Sequence, residues 1–338
     1  MTCGSLPILD GVTSSPTAAP AAAAVGDRAS DARHGVFFGV AAYGLWGLFP
    51  LYWVLLEPAG AVEVLAHRIV WSLVVVLAIL WLVGRRRGDA SRPVLRAVLR
   101  DRWRLVLLIA AAVFISVNWG TYIWAVGNRH VVETSLGYFI NPLFTVLAGV
   151  LVLGERLRPA QWAAVGLGAV AVLVLTIGHG RPPWIALTLA CSFGTYGLIK
   201  KYVATGAVES LAVETTVLLA PALAYLVVLE ASGAGTFFDH GAGHAALLAT
   251  GGVVTAVPLL AFGAAANRIP LSVLGLLQYL APVLQFAAGV LVFGEQMPAV
   301  RWFGFALVWV ALAILTWDGL RAVARRGRAA LVTPFEPT

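Results

Sequence analysis

The chain has 338 residues, of which 60% are hydrophobic and only 12% charged, and its mean hydropathy is +0.88. A soluble domain carries about 25% charged residues, so this composition excludes a soluble enzyme, a nucleic-acid-binding module and a disordered chain. The apolar residues fall in long runs, which is the pattern of an integral membrane protein built from helices rather than from a barrel.

Residues 1–33 are rich in Ala, Pro, Ser, Thr and Gly. Such a segment buries too little apolar area to offset its chain entropy, and we expect a disordered tail. No Lys or Arg precedes the weakly apolar stretch 18–25, so the basic start of a secretory signal is missing. Ten runs of the length that crosses a bilayer follow, at 36–56, 64–83, 105–126, 131–153, 160–178, 184–200, 211–230, 245–267, 270–293 and 301–320. Turn residues and charges separate them, among them Gly84-Arg85-Arg86-Arg87, Gly154-Glu155-Arg156, Arg181-Pro182-Pro183 and Gly294-Glu295. Residues 326–338 form a C-terminal tail on the cytoplasmic side.

Basic residues orient the spans, because Lys and Arg concentrate in cytoplasmic loops. With the N-terminus inside, 19 of the 23 Lys and Arg residues fall on the cytoplasmic side and three (Arg129, Arg181, Arg301) outside. Arg68 alone lies within a span. This places both termini inside and accounts for the net charge of +7 without any nucleic acid partner. The Arg-rich loop 85–104 faces the anionic lipid leaflet, where each charge gains about 1 kcal/mol. Cys3 and Cys191 are far apart and suggest neither a disulfide nor a metal site.

The chain repeats itself. Leu-Ala-Gly-Val-Leu-Val-Leu-Gly-Glu at 147–155 matches Ala-Ala-Gly-Val-Leu-Val-Phe-Gly-Glu at 287–295, an offset of 140 residues, and Pro142 and Trp162 match Pro282 and Trp302 at the same offset. A weaker match links Gly44-Leu-Trp-Gly-Leu48 to Gly194-Thr-Tyr-Gly-Leu198, and Glu63 and Glu214 open the next span of each half. The halves are 34–180 and 181–325, each of five spans. Because five is odd, two copies in series insert with opposite orientation. Inverted repeats around an in-plane axis are a construction of secondary transporters.

These features resemble the EamA family of the drug/metabolite transporter superfamily, over about residues 34–322. Within it, His67-Arg-Ile-Val-Trp-Ser72, Asn118-Trp119, Tyr122-Ile-Trp-Ala-Val126 and Ser135-Leu-Gly-Tyr-Phe-Ile-Asn-Pro142 are similar to its RarD-type branch, which carries a chloramphenicol-sensitivity label. The resemblance implies a ten-helix inner-membrane permease with a central cavity lined chiefly by spans 1, 3, 4, 6, 8 and 9. It implies no cofactor.

Several residues are candidates for a solute site. Pro142 and Pro282 stand near the middle of matched spans, and each frees a backbone carbonyl. They are read as hinges beside a binding site, against the plainer reading of packing kinks. Tyr138 and Gln278 precede them by one turn, flanked by Asn141 and Tyr279. His67 and Arg68 open the second span near its outer end. Arg68 either snorkels to the headgroups, attracts an anionic group of a substrate, or pairs with Glu133 as a gate. Asn118 and Tyr122 share a helix face and, with Trp124, suggest an aromatic wall for a flat solute. Tyr43, Trp46 and Tyr196 are further wall candidates. Glu155 and Glu295 each follow a Gly at a helix end and are expected to cap the next helix. Glu214 is a cap or a proton carrier. Gly35 and Gly39 fit close helix packing within the monomer. Asp239, His240 and His244 lack a further ligand, so no metal site is assigned.

An intramembrane enzyme needs a nucleophile or metal motif, and none is present. A channel needs a filter loop or a charge ring, and a sensor or scaffold usually carries a soluble domain. The expectation is a multi-pass transporter of a bacterial cytoplasmic membrane that moves a small organic solute by alternating access. A non-transport scaffold or sensor, or a channel, is the alternative.

Overall fold

The structure is a computed structural model that describes residues 19–87, 100–154, 156–203 and 207–332. It is helical, with no strand among the described residues. In chain order the helices are α1 (Ala19–Val54), α2 (Ala61–Arg87), α3 (Arg102–Gly127), α4 (Val131–Leu153), α5 (Pro159–His179), α6 (Trp184–Val203), α7 (Ala207–Ala231), α8 (Gly241–Ala266), α9 (Leu271–Leu277), α10 (Leu280–Ala287) and α11 (Ala299–Val332). A π-helical turn, Ala288–Val292, continues α10.

Among the described residues nine segments are long and apolar enough to cross a membrane. The expected span 184–200 is helical, as α6, but falls outside that set. Its sequence carries Ser192, Thr195, Tyr196, Lys200 and Lys201, and Ser192, Tyr196 and Lys200 make polar contacts inside the bundle. Many large apolar side chains are exposed, Leu151, Ile177, Val227 and Leu291 among them. Helices that are hydrophobic all round belong to a lipid-facing bundle.

One expectation at the termini needs correction. Helix α1 begins at Ala19, so 19–33 is helical rather than disordered. Alanine is the best helix former, and an Ala-rich stretch extends a membrane helix that is already nucleated. Helix α11 runs to Val332, and its candidate membrane-spanning part, Ala299–Arg321, agrees with the expected span 301–320. Residues 1–18, most of the Arg-rich loop (88–99), Glu155 and residues 333–338 lie outside the described residues.

Helix ends follow local chemistry. The Asp101 carboxylate accepts from the backbone N–H groups of Trp103 and Arg104 at the start of α3. Gly154 and Gly294, which occupy matched positions of the two halves, both adopt positive φ, 65° and 64°. This left-handed turn costs a glycine nothing and ends the helix. The ninth span breaks at Gln278-Tyr279, and the carbonyl that Pro282 leaves without its helical donor belongs to Gln278. Around Pro142, in contrast, α4 is continuous.

The packing is regular. α3 and α4 both lie on α6, while α1 lies on α8 and α10. α2 meets α7 and α8, α3 meets α7, α4 meets α10, and α5 meets α11. If the α9–α10 segment is taken as the ninth span, these principal neighbours are unchanged when spans one to five are exchanged with spans six to ten. Glu295 touches the first residues of α4, and Gly154 closes its last turn. Gly154 and Glu295 therefore stand at opposite ends of a helix about 34 Å long.

Glycines set the closest approaches, as expected where no water drives helices together. Gly35 and Gly39 pack against Ile269 and Leu277 of the same chain. A Cβ on Gly252 of α8 would collide with the backbone carbonyl of Trp71 in α2. Backbone cannot yield as a flexible side chain can. We expect Gly252→Ala to destabilise the protein by about 1–3 kcal/mol, measured as a fall in thermal midpoint in detergent; an unchanged midpoint would contradict the close α2–α8 contact.

Candidate functional site

The buried polar groups of the bundle gather in three zones. The central zone is built around Arg68, eight residues into α2 and so about 10 Å below the end of that helix. Arg68 is 4% exposed. Its guanidinium carbon lies 3.9 Å from the ring centroid of Trp119, 5.1 Å from Trp53 and 5.8 Å from Phe49. Nε donates to Oγ1 of Thr255 at 2.9 Å, and that hydroxyl in turn donates to the Gly251 carbonyl. The hydroxyls of Tyr52, Tyr122 and Tyr138 are within electrostatic reach of the same cation. Helices α1, α2, α3, α4 and α8 thus converge here.

Asn118 holds the wall of this zone in place. Its amide donates to the Leu189 carbonyl and to Oγ of Ser192, both at 3.1 Å, and its carbonyl accepts from the Tyr138 hydroxyl. Three helices, α3, α4 and α6, are fixed by one side chain whose donors and acceptor are all engaged. Tyr122 packs edge-on against Tyr138, with centroids 5.8 Å apart. The hydroxyl of Tyr122 and Nε1 of Trp53 are buried without a hydrogen-bond partner.

Of the residues singled out in the sequence, Arg68, Asn118, Tyr122 and Tyr138 meet in this zone. The others do not. His67 follows Arg68 and turns to another side of α2, where its ring stacks on Phe237 at 4.6 Å near Glu63 and His244. Trp124 is two residues beyond Tyr122, about 200° around the helix; it is 38% exposed and packs on Trp184 and His130. Asn141 donates to the Ala190 carbonyl and ties α4 to α6. Gln278 and Tyr279 lie at the break before α10, and Tyr279 packs into the separate cluster around Phe139 and Phe305. Tyr43 and Trp46 form an aromatic group with Phe262.

Neither alternative to ligand attraction holds for Arg68. It does not snorkel, since it is enclosed by aromatic rings. It does not pair with Glu133, whose Oε1 instead accepts from the backbone N–H of Ile185 at the start of α6. A helix N-terminus offers free N–H donors and a positive dipole end, which competes well for a carboxylate. Sequence reasoning passed over Phe49, Trp53, Thr255 and the buried Gln285, whose amide donates to the Trp46 carbonyl. The i, i+4 spacing of Phe49 and Trp53 was a usable signal, but nothing local marks Thr255.

The second zone closes the end of the bundle that carries the α3–α4 turn. Glu295 accepts from the backbone N–H groups of Val131 and Val132. It therefore caps α4 rather than the helix that follows it, because the Gly294 turn points the carboxylate back toward α4. Glu63 accepts from the N–H and hydroxyl of Thr236 at 2.7 and 2.9 Å, and Thr236 also meets Nε2 of His244. The third zone lies at the far end. Glu214, 1% exposed, accepts from Lys200 at 2.9 Å, from Ser210 at 2.7 Å and from the Tyr196 hydroxyl. Arg158 pairs with Asp318 at 2.7 Å.

Two measurements check these ties. Lys200→Met leaves the Glu214 carboxylate buried and unpaired, at an expected cost of about 3–5 kcal/mol, while the double variant Lys200→Met/Glu214→Leu recovers most of it. Equal thermal midpoints for the two would contradict a desolvated pair. Burial pushes the Glu295 carboxyl up to about 6, against the lowering effect of its two backbone hydrogen bonds. A raised value means that the folded protein binds this proton more tightly than the unfolded chain does. The stability of the wild type relative to Glu295→Gln should thus rise as pH falls from 7 to 4.5, and parallel profiles would refute it.

The sequence pattern of the EamA-like transporter family matches residues 33–177. Protein RarD of Streptomyces exfoliatus is 63% identical over 89% of this chain and 94% of its own length. Protein RarD of Escherichia coli K12 is 39% identical over 89% and 99%. The chloramphenicol-sensitive protein RarD of Pseudomonas aeruginosa is 32% identical over 87% and 98%. A crystal structure, 21% identical, superposes with a TM-score of 0.54 over 85% of this chain and 98% of that one, a likeness of fold alone. The chain belongs to the EamA-like transporter family, alongside these RarD proteins.

Proposed function

We propose that the protein is a secondary transporter of a bacterial cytoplasmic membrane, moving a small organic solute by alternating access. Ten spans, with both termini inside, form two inverted repeats at 34–180 and 181–325. The observation that carries this reading is the buried Arg68 zone, set between α2 of one half and α8 of the other and bracketed by polar ties at both ends of the bundle. The exchange symmetry of the principal helix neighbours supports the two-fold relation, and the opposite placement of the Gly154 and Gly294 corners supports its inversion.

In this reading the two end zones act as gates. Opening the first releases Glu295 from α4 and Glu63 from Thr236. Opening the second separates Lys200 from Glu214 or Arg158 from Asp318. The first set is made of hydrogen bonds to backbone and hydroxyl groups that water replaces readily, whereas the second is made of ion pairs, one of them buried. Pro142 and Pro282 serve as hinges, Pro282 in a segment already broken at Gln278-Tyr279. The remaining candidates, His67, Trp124, Glu133, Asn141, Gln278 and Tyr279, border the path rather than the Arg68 cage. The Arg-rich loop 85–104 rests on the anionic leaflet.

Two experiments decide this. In a background with Cys3→Ser and Cys191→Ser, a membrane-impermeant thiol reagent should reach Leu157→Cys only from the cytoplasm and Gln296→Cys only from outside; labelling from one common side removes the inverted repeat. Proteoliposomes screened with metabolite mixtures should give saturable counterflow of at least one solute. Arg68→Ala and Asn141→Ala should each insert normally but lower that flux by about tenfold or more, a loss of about 1.4 kcal/mol. Normal flux in both removes the site.

A further inference from the structure

Arg68 is a cation without a counter-ion. Among the described residues no carboxylate lies within salt-bridge distance of it, and the buried or half-buried acids of the bundle are engaged elsewhere: Glu63 by Thr236, Glu133 by Ile185, Glu214 by Lys200 and Glu295 by Val131 and Val132. Of the five N–H groups of a guanidinium, one is satisfied by Thr255. The aromatic faces of Trp119, Trp53 and Phe49 return part of the lost hydration, but a cation–π contact is weaker than a paired charge. An ionisable side chain kept in this state within a membrane bundle is retained for a ligand or an ion path.

The open groups around it are chiefly donors. Among the described residues the guanidinium makes one hydrogen bond, from Nε to Thr255; the buried, unpartnered Trp53 indole N–H is a donor only, and the buried, unpartnered Tyr122 hydroxyl can donate as well as accept. Thr255 has already committed its own proton to Gly251, so it offers only a lone pair, and Arg68 takes it. The zone therefore presents surplus donors and a net positive charge, which call for acceptor oxygens and one negative charge. A planar guanidinium fork matches a carboxylate better than any other common anion of that size. Around this polar centre the walls are Phe49, Trp53, Trp119, Tyr122 and Tyr138, whose faces suit a flat apolar body.

We propose that the Arg68 cage recognises an organic anion, with the carboxylate on the Arg68 fork and the Tyr122 hydroxyl and an aromatic ring between the tryptophans and tyrosines. This rests on the transporter reading above and names the substrate class of the same site. Entry of the anion requires α8 to move off α2, because Thr255 and the tight Gly252 contact hold the two helices together over the guanidinium. Binding replaces the Thr255 contact and the stack on Trp119 by a two-pronged charged hydrogen bond. The chemistry discriminates against amines, which meet a buried cation, and against amides, which bring an N–H donor to a set of donors.

The test uses the full-length protein purified in detergent and reconstituted in liposomes. Benzoate, phenylacetate and indole-3-carboxylate serve as anionic probes. Their primary amides and the corresponding methylamines serve as neutral and cationic matches of similar shape. Tryptophan-fluorescence titration is expected to give binding of at least one carboxylate at least tenfold tighter than its amide and no binding of its amine. Arg68→Gln is expected to abolish that preference, and Arg68→Lys, which keeps the charge but not the fork, to weaken the carboxylate about tenfold. Equal affinity for acid and amide in the wild type, tighter binding of an amine, no binding of any carboxylate, or an undiminished preference in a folded Arg68→Gln would overturn the proposal. The comparison among wild-type probes holds even if that variant does not fold. Counterflow separates the two readings. Carboxylate binding without counterflow in liposomes rejects transport and keeps the anion site, whereas counterflow of neutral solutes with no carboxylate preference keeps transport and rejects the anion site.

Discussion

Arg68 carries a full positive charge into a part of the bundle where three aromatic faces and one threonine hydroxyl receive it. Much of the surrounding architecture follows from holding it there. Aromatic residues must come from α1 and α3, a lone pair must come from α8, and the neighbouring polar side chains must be satisfied without drawing on the cation. Asn118 meets the last demand by engaging Leu189, Ser192 and Tyr138 at once. Without water inside the bilayer, any polar group left over in the spans is costly, so the few that remain unpartnered stand out.

The second constraint is the absence of a hydrophobic drive between helices that already sit in lipid. Association then depends on close contact and on polar ties. Gly252 supplies the first by bringing α8 against the backbone of α2. Carboxylates supply the second, and two of them choose helix N-termini over basic side chains: Glu295 on α4 and Glu133 on α6. Such ties can be exchanged for water when an end opens, which makes them suited to reversible closure. The ion pair of Lys200 and Glu214 at the far end is of another kind, because one partner is fully buried and loses its pairing only if solvent or a proton replaces it.

The proposed arrangement of two similar halves around one site would have a simple physical advantage. Two packings of near-equal energy would arise from one set of contacts, so a ligand would have to supply little free energy to shift between them. The local differences between the halves then matter. The first half keeps α4 continuous through Pro142, while the second breaks before Pro282 and adds a π-helical turn. A broken span bends more easily than a continuous one, so the second half is where the larger backbone change is expected to fall.

The sequence by itself determined the membrane class, the approximate positions of most of the apolar spans and the repeated Gly-Glu pairs. Length, hydropathy and turn residues are local properties, and they act before any helix finds a neighbour. It also marked Arg68, Asn118, Tyr122 and Tyr138, since a charged or amide group within an apolar run is conspicuous wherever it points. Only the tertiary structure decided what each of these touches. Thr255 lies 187 residues from Arg68, and Glu295 lies 164 from the residue whose N–H it accepts; no spacing rule reaches that far. Trp124 left the wall because a step of two residues turns a helix through about 200°. Glu133 and Glu295 left their expected partners because the nearest free backbone donors belonged to other helices. Which partner lies closest is a property of packing, and packing is settled by the whole bundle.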